Sequence, residues 1–175
     1  MRLRFSIVAM VMPVLVSCAG SPVGTPTAGL EGERHRPRNS AERLALEAAE
    51  SRRDITRGGW TAHVAGSEGA RLHVTLTRPT GEAENAPLEV YDLALRDGWV
   101  EQVGEPRYLA PSDDLEQGVL HVAREAAGAP SGQAIVAVKG GALVGRKTDL
   151  RCLVEVRALS TERRELFSRT VNVCP

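Results

Sequence analysis

Apolar residues recur at helical spacing in two stretches of the chain, and each stretch carries helix-boundary signals. The first is residues 39–53, whose leading asparagine suits an N-cap, and we expect Gly58-Gly59 to end it. The second begins after Ser112-Asp113, which we expect to cap it, and stops at Gly128. Its apolar stripe consists of Leu115, Val119, Leu120, Val122, Ala123 and Ala126. The pattern therefore predicts two amphipathic helices.

Elsewhere the hydrophobic period changes to two, which predicts strands joined by tight turns. Residues 60–64 and 72–76 predict a first hairpin around a five-residue loop at 66–70. Its register would place Trp60, Ala62 and Val64 opposite Leu76, Val74 and Leu72, and His63 opposite His73. The dipeptide Asp97-Gly98 predicts the turn of a second hairpin. Further strands are predicted over residues 134–138, 150–159 and 164–173.

Together these elements predict an α+β fold with a largely antiparallel sheet of about six to seven strands and the two helices packed on one face. The chain has 175 residues. Once an N-terminal leader is removed, that length suits one hydrophobic core and is short for two. We therefore expect a single folded domain over residues 40–175.

The first eighteen residues have the pattern of an export signal. Arg2 and Arg4 precede an apolar run over residues 5–16, which is shorter than the roughly 20 residues of a membrane-spanning helix. Its end, Leu15-Val16-Ser17-Cys18, resembles the lipobox of bacterial lipoproteins. The resemblance implies that residues 1–17 are a signal peptide and that the Cys18 thiol carries a diacylglyceryl group. The alternative is an ordinary signal peptide with a chance cysteine.

The segment after Cys18 is rich in glycine and proline and poor in apolar residues. We expect residues 18–39 to form a lipidated N-terminus and a flexible tether, which would hold the domain on the order of 25 Å from the bilayer. Resemblance to the lipoprotein sorting pattern implies the periplasmic face of the outer membrane, because Ala19 and not aspartate follows the cysteine. The lipid bilayer is thus an expected partner through acylated Cys18.

Charge is balanced, with 22 basic and 22 acidic residues. Because Arg2 and Arg4 leave with the signal peptide, the mature chain carries a small negative net charge. This balance argues against nucleic acid and anionic lipid surfaces as partners.

Two cysteines remain after Cys18, and in an oxidising periplasm we expect a structural disulfide between Cys152 and Cys174. Closing such a loop typically contributes about 3 kcal/mol. A reactive or metal-binding thiol pair is the alternative, but the C-x-x-C spacing is missing. The predicted hairpin register places Cys174 on the opposite face from Cys152, so the bond requires a bulge or a turned-in tail, and we expect the short tail to bend.

The segment from Gly140 to Thr148 nearly matches a phosphate-binding P-loop. That motif needs lysine directly after its last glycine, where this chain has Arg146, and Lys147 is displaced by one position. A helix must also follow, whereas residues 149–159 predict a strand. We therefore expect a flexible turn here, with no nucleotide and no cofactor.

Candidate catalytic and metal-binding residues are sparse. His63 and His73 would face each other in the predicted hairpin, but zinc requires at least three protein ligands, so structural histidines are the favoured interpretation. The motifs G-x-S-x-G, S-x-x-K and H-E-x-x-H are absent from the sequence. Asp113, Asp114 and Glu116 suit the first turn of a helix better than an acid and base pair. We do not expect an enzyme.

The order of elements over residues 99–160 resembles small lipoprotein sensor domains of the outer-membrane stress-sensing kind. This resemblance implies a class of function and no individual site residues. The resulting hypothesis is a membrane-anchored periplasmic lipoprotein that acts as a protein-binding accessory or sensor subunit of the cell envelope. The alternatives are a domain that binds a small ligand or an envelope polymer and, third, a hydrolase with a dispersed site.

Overall fold

The computed structural model describes residues 33–174, which form an α+β fold and confirm the predicted class. The described part contains two helices and eleven strands. In chain order they are β1 (Arg34–His35), α1 (Ser40–Ser51), β2 (Ile55–Arg57), β3 (Trp60–Glu68), β4 (Arg71–Pro79), β5 (Leu88–Arg96), β6 (Trp99–Gln102), β7 (Arg107–Leu109), α2 (Leu115–Gly128), β8 (Gln133–Val138), β9 (Gly141–Lys147), β10 (Leu153–Ser160) and β11 (Glu165–Asn172).

The strands divide between two sheets. Sheet A has the order β1-β6-β5-β4-β3-β2, with β7 also paired to β5, and sheet B has the order β11-β10-β9-β8. All paired strands within them run antiparallel. Helix α1 packs on sheet A and α2 on sheet B. The structure therefore differs from the expected single sheet with both helices on one face, because periodicity does not reveal which sheet a strand joins.

The layers follow one another as α1, sheet A, sheet B and α2, with an apolar cluster at each contact. The cluster under α1 includes Leu44, Trp60, Leu76, Tyr91 and Leu95. The cluster under α2 includes Val119, Val122, Leu143, Val154 and Val156. Between the sheets, a third cluster consists of Leu88, Val90, Ile135, Ala137, Ala142 and Val144. The sheets therefore pack face to face, and each helix covers an outer face.

The first hairpin has the predicted buried face but a different register. Ala62 pairs with Leu76 and Val64 with Val74, two residues away from the predicted pairing. A β-bulge follows Val64, and a two-residue turn at Gly69-Ala70 replaces the predicted five-residue loop. Because side chains alternate with a period of two, a shift of two leaves every residue on its predicted face.

The signals at the start of α1 and at the second hairpin are confirmed. The Asn39 side chain accepts a hydrogen bond from the N–H of Glu42 at 2.9 Å, and α1 ends at Arg52 in a left-handed conformation. Gly58-Gly59 does not end this helix, because the two residues form the turn between β2 and β3. Asp97-Gly98 forms the predicted tight turn, with φ of 53° and 73°.

Helix α2 begins one residue later than predicted. Asp114, rather than Ser112 or Asp113, is the N-cap, and its side chain accepts from the N–H of Gln117 at 2.9 Å. Leu115 and Leu120 are 42% and 47% exposed and lie outside the buried stripe.

The tether prediction extends too far along the chain. Arg34 and His35, expected in the tether, pair with β6 as β1, and the buried His35 contacts Glu42 at 3.2 Å. The predicted signal peptide, Cys18 and residues 19–32 lie outside the described residues.

Candidate functional site

The two predicted disulfide partners are joined in the structure. The Cα atoms of Cys152 and Cys174 lie 5.2 Å apart. Val154 lies opposite Val171, so the apolar residues of the two strands share one face as expected. The bond is reached from this register through Cys152, whose φ is 68°. Cys152 thus leaves the extended conformation and reaches Cys174 beyond the last ladder pair.

The segment that resembles a P-loop is not the flexible turn expected from its glycines. It forms β9, which pairs with β8 on one side and β10 on the other. A Cβ added to Gly141 would lie 1.8 Å from the carbonyl oxygen of Leu159, and one added to Gly145 would lie 2.8 Å from that of Val122. The glycines therefore serve close packing, which a sequence pattern alone does not distinguish from loop chemistry.

His63 and His73 do not face each other, because the register places His63 opposite Thr75. The His73 Nε2 is buried without a hydrogen-bond partner, 3.9 Å from Glu68. Among residues 33–174, no group of three or more His, Cys, Asp or Glu side chains could hold a metal ion. The predicted pairing of the two histidines is therefore wrong.

His63 instead belongs to a polar network between the sheets that the sequence analysis did not find. Its Nδ1 lies 3.4 Å from Asp54 Oδ2, and its Nε2 lies 3.0 Å from Thr77 Oγ1. Asp54, between α1 and β2, also accepts hydrogen bonds from Arg146 at 2.5 Å and Arg157 at 3.0 Å. Both arginines belong to sheet B, so the ion pairs of Asp54 link the two sheets.

Burial and charge set the protonation states in this network. Burial lowers the pKa of His63 below its ordinary value of 6.5, and the charges of Arg146 and Arg157 lower it further, against the opposing effect of Asp54. Burial alone would raise the pKa of the Asp54 carboxyl. Its hydrogen-bond donors and the nearby positive charge outweigh burial and hold that pKa well below the usual range. We therefore assign an ionised Asp54 and a neutral His63.

Asp54, His63 and Thr77 follow one another in the order of an orienting acid, a base and a nucleophile. In such a triad, the base must accept a proton and become an imidazolium stabilised by the carboxylate. Here two guanidinium groups already neutralise Asp54 and disfavour a cation at His63. The electrostatics therefore suit a cross-link between the sheets better than general-base catalysis.

A cleft opens between the sheets beside this network. It lies between the β4–β5 loop, the β8–β9 turn and the β10–β11 turn. Its lining combines apolar and polar side chains, among them His63, Thr77, Leu88, Ala142, Leu159 and Arg163. Arg163 closes one side by donating a hydrogen bond to the carbonyl of Trp60 at 2.8 Å.

The open side of β11 is the longest unpaired sheet edge in the described part of the chain. β11 has eight residues and lies at the end of sheet B. The edges of sheet A are shorter, with two residues in β1 and three in β2. The opposite edge of sheet B, β8, is partly covered, because Ser112 forms a bridge with Val138.

The backbone of β11 alternates between pairing with β10 and facing outward. Val173 donates to the carbonyl of Cys152 at 2.9 Å, so in an antiparallel ladder residues 167, 169 and 171 also bond to β10. The N–H and C=O groups of Ser168 and Thr170 then point away from the sheet, whereas a β-bulge at Leu166, between the pairs Ala158–Phe167 and Leu159–Glu165, interrupts the alternation. Phe167 and Val171 pack on the core under α2, whereas Leu166 is 65% exposed. β11 therefore has an ordered inner side and a free outer edge.

In comparisons with protein-family models, with curated proteins and with solved structures, the chain matches none. Neither α1 nor α2, the helices of the described residues, is long and apolar enough to cross a membrane.

Proposed function

We propose that this protein is a lipid-anchored periplasmic lipoprotein whose domain binds a partner protein, as an accessory or sensor subunit of the cell envelope. The lipid would be carried by Cys18 and would hold the domain at the outer membrane. The partner would add a strand to the open edge of β11. The proposal includes no catalytic activity.

The observation that carries the proposal is the eight-residue outer edge of β11. An ordered strand with free N–H and C=O groups is a template for an extended segment of another chain. Main-chain hydrogen bonds supply affinity in this mode, and exposed side chains beside the new strand supply specificity. Leu166 and Thr170 are exposed on this strand.

The docking edge is tested with a photo-crosslinking amino acid at position 166, in cells that express the whole chain. Position 150 is the matched control, because Leu150 is 64% exposed and Leu166 is 65% exposed. We expect one dominant protein adduct from position 166 and none from position 150. Equal adducts from both positions, or only abundant bystander proteins, would contradict the proposal.

Thr170→Pro sharpens this test, because proline removes an outward N–H without removing a bond to β10. Thr170→Val keeps that N–H and is the control. We expect at least a tenfold loss of the adduct for Thr170→Pro and retention for Thr170→Val, with both variants compared at equal folded amounts.

The lipid anchor is tested separately by membrane fractionation and by the mass of the mature N-terminus. We expect Cys18→Ala to release the protein from the outer-membrane fraction. The double variant Cys152→Ala/Cys174→Ala is the control and should stay in that fraction. A mature N-terminus without an acyl group would contradict the proposed lipid anchor. It would not bear on partner binding at β11, which the crosslinking experiment tests.

A second candidate function is small-ligand or envelope-polymer binding in the cleft beside Thr77. It is favoured by the mixed apolar and hydroxyl lining at the end of the two sheets. Thermal unfolding against soluble glycans and small metabolites tests it, because a ligand that binds only the folded state raises the unfolding temperature. The variant Leu159→Gln should abolish any such shift, and a shift that persists would place the ligand elsewhere.

A further inference from the structure

Sheet B does not cover the whole inner face of sheet A. At the end formed by β1, β6 and the β5–β6 turn, a group of side chains extends from this face into solvent. We call this group the arginine patch; it consists of Arg34, Arg36, Arg71, Arg96 and Trp99. The strand register explains the grouping, because Arg34 pairs with Glu101, and Arg96 with Trp99.

Positive charge is in excess at the arginine patch. Glu101 contacts Arg34 at 3.3 Å and Arg71 at 2.5 Å, and Asp97 contacts Arg96 at 3.3 Å. The patch thus places four guanidinium groups beside two carboxylates. The side chains of Arg34 and Arg96 are 56% and 55% exposed, so both can reach a second anion.

Trp99 adds an exposed aromatic ring to this cationic surface. The Arg36 guanidinium carbon lies 4.5 Å from the centre of the Trp99 ring, and the same side chain donates to the carbonyl of Gly98 at 3.2 Å. Trp99 is 41% exposed, whereas the chain's other tryptophan, Trp60, is buried. An exposed indole beside arginines is a combination found at membrane–water interfaces.

The patch also lies where the chain enters the domain. Glu33 is the first described residue and leads directly into Arg34. Residues 19–32 separate Glu33 from Cys18. A flexible chain of that length spans about 20 Å. If Cys18 is acylated, as proposed above, this end of the domain is held closer to the bilayer than any other described part.

We infer that the arginine patch docks on the anionic phospholipid headgroups of the membrane that holds the lipid anchor. Guanidinium groups bind phosphate oxygens through paired hydrogen bonds, and Trp99 would lie at headgroup depth. The net charge of the whole chain argued against such a surface, but a local cluster, not the total, determines the field at a contact. This inference rests on the proposed lipid anchor for two points, namely which membrane the patch meets and how near to that membrane it is held.

The experiment uses the chain from residue 18 onward with Cys18→Ser, so that no acyl group contributes to binding. Vesicles of phosphatidylethanolamine with phosphatidylglycerol are compared with vesicles of phosphatidylcholine alone. Because Trp60 is buried, Trp99 dominates any change in fluorescence on binding. We expect a blue shift and quenching by brominated lipid with anionic vesicles only, decreasing as salt is added. Trp99→Phe should abolish the signal.

The double variant Arg34→Gln/Arg96→Gln tests the charges themselves. We expect about a twenty-five-fold weaker partition to anionic vesicles, since each arginine contributes about fivefold at such a surface. The control Arg43→Gln/Arg124→Gln removes the same charge from exposed positions on α1 and α2 and should change binding little.

Three results would overturn the inference. They are equal binding to neutral vesicles, equal losses in the two double variants, and full displacement by soluble glycerol phosphate, which would indicate a free phosphate ligand. Because the chain tested carries no lipid, none of these results bears on whether Cys18 is acylated. If Cys18 proved not to be acylated but the chain still bound anionic vesicles, the inference that the arginine patch docks on a membrane would stand.

Discussion

The two faces of β3 and β4 are both buried, but by different means. On one face, Ala62, Val74 and Leu76 pack against α1. On the other, His63 and Thr77 face sheet B, and Asp54 links the sheets through Arg146 and Arg157. The hydrophobic effect that holds the first contact is insensitive to pH, whereas the second depends on which groups are ionised. One pair of strands thus takes part in two contacts whose stabilities respond differently to pH.

Breaking the apolar face should have the largest effect. Leu76 is fully buried under α1, and we expect Leu76→Ala to lower the free energy of unfolding by about 4 kcal/mol, because it leaves a cavity. Urea denaturation measures the change, which should be the same at neutral and mildly acidic pH. The control Leu166→Ala, at an exposed site, should change it by less than about 0.5 kcal/mol. A loss that grew with acidity would contradict the assignment of this face.

Breaking the polar face should cost slightly less. We expect Asp54→Ala to lower the free energy of unfolding by about 3 kcal/mol, because two partly buried guanidinium groups lose their shared carboxylate. Asp54→Asn should retain part of that stability through its remaining hydrogen bonds. The control Glu47→Ala removes an exposed carboxylate paired with Arg57 and should leave urea denaturation unchanged. Equal losses at the two carboxylates would argue against a cross-link between the sheets.

Acidification should weaken the polar face by a smaller amount. The folded pKa of His63 lies below its unfolded value of 6.5, so the unfolded chain takes up the proton first. The stability that comes from neutral His63 is therefore full above the unfolded value and is lost as pH falls below it. We expect urea midpoints to fall between about pH 7 and about pH 5, and His63→Gln to flatten that slope. His121→Gln, at an exposed site on α2, should keep the slope of the unmodified chain.

The smallest expected effect is at the start of α1. Asn39→Ala removes the side chain that accepts from the N–H of Glu42, and we expect a loss of about 1 kcal/mol. Hydrogen exchange should increase in α1 and leave sheet B unchanged. Ser40→Ala, at the neighbouring exposed position, is the control, and an equal loss there would argue against Asn39 as the cap.

The same comparison explains which parts of the fold were predictable from sequence. Helix caps and tight turns depend on neighbouring residues, so Asn39 and Asp97-Gly98 were identified correctly. Periodicity also predicted which face of the first hairpin packs against α1. That assignment holds although the predicted register is wrong by two residues, because such a shift changes no residue's face. It could not show that His63 and Thr77 are covered, because a polar face under a second sheet has the same pattern as a solvated one.

The network around Asp54 could not be predicted for a related reason. Its partners Arg146 and Arg157 are 92 and 103 residues away in the chain, and none of the three belongs to a local motif. The strand β9 was missed because its glycines resemble a loop until the close approach of Leu159 and Val122 is known. A useful signal was an aspartate directly before a strand together with one arginine in each of two later strands, but that signal is common.

The disulfide at the end of β11 has a consequence for how that strand opens. An edge strand is paired on one side only and ordinarily opens first at its ends, where the amides exchange first. Because Cys174 is bonded to Cys152, the disulfide holds the C-terminal end of β11, and a turn joins its N-terminal end to β10. Both ends of β11 are therefore held beside β10. The oxidising compartment proposed from Cys18 is thus the one in which the open edge stays ordered along its whole length.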